Sequence, residues 1–455
     1  MNNELRVLSP TGILGYGFPK KSFEKGMELE PDFIAVDAGS TDAGPYYLGE
    51  GISFTDKKAV KRDLTIILKA IDEKNIPFII GSAGGAGAKP HVNWCEDIIR
   101  EVAKENNLNF KMANIFADIS KDWVEEKIDN DYIKPMTGAP PLSKEEVKNS
   151  NRIVAQMGTE PIENALDEAD VILAGRANDP AVFAAMGIKN GFPKGLSIHL
   201  GKILECAAIA ADPGSGKDCM FGILKNDCFE IKPTNPDRKC TTLSVAAEAL
   251  YEKTNPLRLY EPGGEVNLEK CKYENIDERT VRVSGSKFEP KELYIKLEGA
   301  KKVGYRTISI AGIRDPIMIN QIDDITEHIV SEIRDNFEDI PEESYKTKFR
   351  LYGKNGVMGE LEPQSEITSH ELGVIIEIVA DTQKLANTIC SFARSTMLHY
   401  GYPGRMATAG NLAFPYSPSD IKTGKVYEFS LYHLAKIEDP CKPFSIEVKS
   451  IGGGS

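Results

Sequence analysis

Along the first half of the chain, short β-rich runs alternate with longer stretches in which apolar residues recur every three or four positions. Leu5–Leu8, Phe33–Val36, Pro77–Ile80, Lys111–Ile115 and Val171–Ala174 read as strands. Lys58–Glu73 places Leu64, Ile67, Leu68 and Ile71 on one face and reads as a helix, as does amphipathic Trp94–Glu105. Strands separated by helices of this length specify βαβ units and a parallel sheet. The expected fold class is therefore α/β, with a Rossmann-like parallel-sheet N-terminal domain over residues 1–245. A helix at Leu243–Tyr251 and the turn-rich NPLRLYEPGG (255–264) mark the expected boundary. Beyond it the pattern is β-richer at first, with strands at Thr280–Val283, Glu292–Leu297 and Tyr305–Ile310. Helical Pro316–Phe337 and Leu385–Tyr400 then interleave with strands at Thr347–Leu351, Val374–Val379 and Tyr427–Tyr432. This predicts a second, α+β domain over 246–450, with 451–455 a linker or tag remnant.

The length of 455 residues agrees with two large domains, and a hydrophobic share of 41% is that of a folded chain. With 55 Lys+Arg against 68 Asp+Glu, the net charge of −13 argues against nucleic acid as a partner. No apolar run approaches the roughly 18–20 residues of a membrane span, and no secretory signal opens the chain. The eight cysteines are scattered without a C-x-x-C pair. Reduced thiols and a cytoplasmic location are expected.

In a parallel sheet the ligand crevice lies beyond the carboxyl ends of the strands. Four such ends carry unusual residues here: Gly12/Gly15/Gly17, Asp37–Pro45, the loop Gly81–Gly87 (GSAGGAG) ahead of His91, and Gly175–Pro180. Glycine amides in the Gly81–Gly87 loop suit an anion, with a tight packing turn as the alternative. The loop is not a dinucleotide fingerprint, because it lacks G-x-G-x-x-G. Asp212–Asp218 is a P-loop lookalike only: Ala211 stands where the first glycine belongs and Asp218 replaces Ser/Thr. Asp37 and Asp42 flank a Gly-Ser-Thr turn and either orient a substrate hydroxyl, ligate a divalent cation, or simply close an Asx turn. Arg176 suits a carboxylate. Asp179 before Pro180 suits a helix cap as well as a catalytic role. His91 is a reserve acid or base, Glu205 a further acid/base candidate, and Cys206 a core residue. No H-E-x-x-H and no G-x-S-x-G occurs, so neither a zinc hydrolase nor an α/β-hydrolase is expected.

Several long motifs together resemble the acyclic terpene utilisation AtuA family: SPTGILGYGFPKKSFEKG, PDFIAVDAGSTDAGPYYLGEG, GSAGGAG, DVILAGRANDPAVFAA, GKILECAAIAADPG, RLYEPGG, GIRDP and RSTMLHYGYPGRMATAGNLAFPYSPSDI. The resemblance runs from about residue 5 to about 435. It implies a catabolic lyase or hydratase, with an isomerase as a further option, acting on a small hydroxy-carboxylate or its CoA thioester, by hydration, dehydration or retro-aldol cleavage. It also implies a small ferredoxin-like-fold partner on a separate chain, hence an oligomer, since longer members carry such a domain themselves. The other reading is a non-catalytic scaffold or regulatory subunit. The expected catalytic set is Asp37, Asp42, His91, Arg176 and Asp179. Gly15, Ser40, Thr41, Ser82, Gly84, Gly85, Gly87, Asn178 and Arg405 are the expected substrate or anion contacts. No metal site is assigned; CoA enters as part of the substrate, and a divalent metal through the aspartates is the weaker option.

Overall fold

The five strands read from the first half form the parallel centre of a ten-stranded sheet in a computed structural model that describes residues 3–251, 255–406 and 408–452. Glu4–Ser9 pairs in parallel with Phe33–Asp37, and that strand with Phe78–Gly81. Val171–Ala174 inserts next, between Phe78–Gly81 and Phe110–Phe116. Antiparallel strands extend both sides: Met220–Lys225, Cys228–Pro233, Val281–Ser284 and Lys272–Asn275 beyond the first strand, and Ser445–Ile451 beyond Phe110–Phe116.

Strand alternation sorts the core into two layers. Ile34, Val36, Phe78 and Ile80 pack on helices Lys57–Lys74 and Lys89–Asn106. Phe33, Ala35, Ile79 and Ile172 face Asp179–Lys189 and Lys194–Leu204. Both faces being covered explains the apolar runs. Lys57–Lys74 starts where the Asp56 side chain accepts from the Lys58 and Ala59 amides, and ends at left-handed Asn75. The helix expected from Trp94 begins at Lys89 instead, with Pro90 in its first turn, where a missing N–H costs nothing.

The chain forms two compact units, and their limits differ from the expected boundary at 245/246. The first comprises residues up to Lys301 together with those from Phe429 on; the second is Lys302–Glu428. Residues 246–301 belong to the first unit because their apolar positions are spent there. Arg258–Glu261, Gly264–Asn267 and Lys287–Pro290 form a three-stranded antiparallel sheet whose Leu259 and Val266 bury against Ala184, Ile198 and Ala249. Val281–Ser284 meanwhile joins the main sheet. The expected linker at 451–455 lies outside the described residues from 453 on, while Ile451 is buried at the end of a strand in the main sheet.

In the second unit, Tyr345–Tyr352, Leu372–Ala380 and the Tyr305–Ile313 part of the long strand Tyr294–Ile313 pair antiparallel. Helices Ile322–Asn336 and Gln383–His399 share their core, through Ile325, Ile329, Ile389 and Ala393. The two strands expected at 292–297 and 305–310 are thus one. No described helix is long and apolar enough to cross a membrane.

Candidate active site

At the carboxyl ends of the parallel strands lies a cavity of about 340 Å³. Gly12 and Ile13 reach it from beyond the first strand, Asp37, Gly39, Ser40 and Asp42 from the second, and Asp179 from beyond Val171–Ala174. Glu205 and Cys206 follow helix Lys194–Leu204 into the same space, while exposed Tyr16, Ile209 and Tyr251 stand at its mouth. A larger hollow of about 760 Å³ sits around Phe110, Lys111 and Asp170, at the amino ends of two strands, where this architecture does not build its ligand sites.

Asp37 ends its strand with 6% of its surface exposed. Its Oδ2 accepts the Gly39 amide at 3.1 Å, and its Oδ1 is buried without a partner. A methyl on Gly81 would strike Val182 Cγ2 at 2.2 Å and stand 3.3 Å from that oxygen, so the glycine lets Val182 pack close beside the carboxyl. Burial drives the Asp37 pKa well above the ordinary range, the charges of Asp179 and Glu205 add to the rise, and Arg176 opposes it. Asp179, in the first turn of its helix, is raised by burial and pulled back by Arg176.

Beneath these carboxyls runs a buried charge network. Arg176, 2% exposed, donates from Nε to Glu298 Oε2 at 2.7 Å and from Nη2 to Oε1 at 3.4 Å. Its Nη1 reaches Ser82 Oγ (3.1 Å), the Ala177 carbonyl (3.0 Å) and Asp179 Oδ1 (3.1 Å). Glu298, fully buried, also accepts from Lys296 Nζ at 2.7 Å and Thr41 Oγ1 at 3.0 Å. Burial alone would raise Glu298, but Arg176 and Lys296 overcome it and hold the group at about 2. A second buried pair, Lys202 with Glu205, adjoins the cavity. Burial would lower Lys202, yet Glu205 carries it upward; Cys206, expected in the core, is half-buried on the cavity lining, and burial pushes its thiol up, away from a thiolate nucleophile.

Of the sequence-derived residues, Asp37, Ser40, Asp42, Asp179 and Glu205 line the cavity. Ser40 and exposed Asp42 bond each other, Ser40 Oγ to Asp42 Oδ2 at 2.8 Å. Thr41 and Ser82 serve the buried network instead, on Glu298 and Arg176. Arg176, expected as a carboxylate clamp, has its donors spent inside the fold.

The glycine loop does not form the expected anion cradle. The amides of Ser82, Ala83 and Gly85 donate to the carbonyls of Gly175, Ala174 and Ser82. Gly84, Gly85 and Gly87 are buried, and methyls there would strike His91, Phe54 and the Arg176 backbone respectively. Their role is close approach. His91 is buried, lies outside the cavity lining and donates from Nε2 towards the carbonyls of Tyr47 (3.2 Å) and Ile52 (3.1 Å); burial lowers its pKa. Gly15 gives its amide to buried Asp63 at 2.9 Å. Asn178 bonds Glu261, and Arg405, in the second unit, donates to the carbonyls of His399 and Ala409.

Glu298, Lys296 and Lys202 had not been singled out in the sequence. Lys296 and Glu298, two apart in a strand, share a face, and this spacing of opposite charges is the one local signal there. Among the described residues no group of three or more His, Cys, Asp and Glu is placed to hold a metal ion.

A family model described as acyclic terpene utilisation family protein AtuA matches residues 55–214 and 227–422. The match holds Arg176, Asp179, Lys202, Glu205, Lys296 and Glu298, and starts after Asp37 and Asp42. No curated protein and no solved structure matches the chain.

Proposed function

The chain belongs to the acyclic terpene utilisation AtuA family, and on that footing we propose that it is a catabolic lyase or hydratase for a small hydroxy-carboxylate or its CoA thioester. The observation that carries this reading is the convergence of Asp37, Asp179 and Glu205 on one small cavity, with one carboxyl poised to keep its proton and the others paired to cations. Dehydration of a 3-hydroxyacyl group needs a base for the α-proton and an acid for the departing hydroxyl. Asp37 supplies the proton that leaves with the hydroxyl as water, and Asp179 or Glu205 takes the α-proton. Hydration runs the same transfers backwards. In retro-aldol cleavage, Asp179 or Glu205 takes the hydroxyl proton, the carbon–carbon bond breaks to a carbonyl and an enolate, and Asp37 gives its proton to the enolate carbon.

Among the described residues the cavity lining holds no Lys, Arg or His, so the substrate's charged end is assigned to the rim. Lys217, which follows the lining Gly216 and stands 5.8 Å from the centre of the Tyr16 ring, offers a cation at the rim. The small ferredoxin-like-fold subunit forms part of the proposal as its partner.

The second reading, a scaffold subunit, draws on Val357, Met358 and Leu361, three exposed apolar side chains on one short segment of the second unit. Co-expression with a small ferredoxin-like-fold protein of the proposed kind, followed by a mass-spectrometric screen of hydroxy acids and their CoA thioesters, separates the two. Turnover that disappears in both Asp37→Asn and Asp179→Asn supports the enzyme; turnover that survives both assigns the chemistry to another chain. Incorporation of 18O from water into a single product identifies hydration, and two products identify cleavage.

A further inference from the structure

Among the described residues, buried Glu298 and Glu205 and half-buried Asp179 each have a cation against them, and buried Asp37 does not. Glu298 holds Arg176 and Lys296, Asp179 holds Arg176, and Glu205 holds Lys202. Asp37 has only the Gly39 amide. Arg176 and Lys296 together balance Glu298 and Asp179, so the cluster is neutral when Asp37 is protonated.

We propose that Glu298 is the positioning residue that fixes the site's proton on Asp37: it accepts from Nε and Nη2 of Arg176 and so anchors the guanidinium with Nη1 bonded to Asp179 rather than to Asp37. None of the Arg176 donors reaches Asp37, although the guanidinium is near enough to act on it electrostatically. Lys296 and Thr41 hold Glu298 in turn. The arrangement turns two neighbouring aspartates into an unlike pair, a proton donor and an anionic acceptor, without either moving. Groups facing Asp37 from the packed elements are Arg176 and Asp179 at the strand end and helix start, Glu205 after the next helix, and Asp42 on its own loop. The inference rests on the acid–base reading of the cavity, but it concerns residues that touch no substrate.

Its test uses the full chain labelled with carboxyl-13C aspartate, the Asp37 signal being identified by its loss in Asp37→Asn. In the unaltered protein Asp37 titrates above Asp179. Glu298→Gln deletes the charge that compensates Arg176, whose own charge already acts on Asp37, so the Asp37 midpoint falls, by about one pH unit. Lys296→Met deletes a positive charge and moves the midpoint upward, and Glu298→Asp restores most of the original value. A purely structural Glu298 would leave the midpoint in place. The inference is overturned if folded Glu298→Gln titrates Asp37 as before, or if the higher midpoint belongs to Asp179. Should Glu298→Gln not fold, an unmoved midpoint in Lys296→Met overturns it equally. No substrate is needed, so a failed metabolite screen and a failed titration are separate results.

Discussion

Replacing Gly87 by alanine tests whether the glycine loop exists to hold an anion or to let two backbones touch. Gly87 has φ +65°, and its added methyl would lie 2.2 Å from the Arg176 amide nitrogen, 2.5 Å from its Cα and 2.7 Å from the Gly175 carbonyl carbon. These are backbone atoms, already tied by the Arg176 N–H to the Gly87 carbonyl at 3.0 Å, so no side-chain rotation relieves the clash. A left-handed conformation costs a non-glycine residue about 1–2 kcal/mol, and forcing an extra methyl into a packed core about 1–3 kcal/mol. The sum is a loss of about 2–5 kcal/mol. Gly138→Ala supplies the control, because Gly138 has φ +87° with nothing within 4 Å of the new methyl and should lose only the backbone part, about 1–2 kcal/mol. Urea unfolding followed by tryptophan fluorescence reports the right region, since Trp94 and Trp123 both lie in the first unit, Trp94 on the helix that starts just after the loop. Indistinguishable losses for Gly87→Ala and Gly138→Ala would refute the packing account and return the loop to ligand binding.

Four further outcomes are expected. Glu298 falls from 4.5 unfolded to about 2 folded, worth about 3 kcal/mol by linkage; that stability is present above about pH 4.5 and is lost as pH falls towards 2, a slope that Glu298→Gln should lack in urea midpoints measured across that range. The same substitution at neutral pH strips buried Arg176 of its main partner and should cost about 3–5 kcal/mol. Asp37 has the opposite sign: its folded pKa is raised, so the folded state binds the proton more tightly and stability declines as pH climbs from about 4 through the raised value. Asp37→Asn should therefore equal or exceed the unaltered protein in melting temperature at pH 8 and lose that advantage below pH 4. Asp63→Ala removes the acceptor of both the Gly15 and Gly17 amides and should cost about 2–4 kcal/mol, read by the same fluorescence transition.

Which residues reach the cavity was partly written in the local pattern. Once FIAV and VILA are strands of a parallel sheet, the loops after them must share one rim, and Asp37, Ser40, Asp42 and Asp179 came to the cavity for that reason. Lys57–Lys74, with its apolar stripe and capping Asp56, was equally legible because both signals lie within the segment itself. What a rim residue then does was not legible. Arg176 looks like a free cation after a strand, yet Glu298, 122 positions away, occupies it. The glycines of the Gly81–Gly87 loop look like an open cradle, yet the backbone of Gly175 and Arg176 fills the space at Gly87.

The domain boundary misled in the same way, because a turn-rich stretch says that the chain bends and not which core it returns to. Val281–Ser284 pairs with Cys228–Pro233, a choice made by register and burial between distant segments. The α/β class, the central strands and the end of the sheet where chemistry gathers all follow from the residue pattern, since periodicity and turn residues act over a few positions. Which carboxyl lacks a cation follows from the folded arrangement instead, because charge pairing in a buried site depends on distances that no spacing along the chain records.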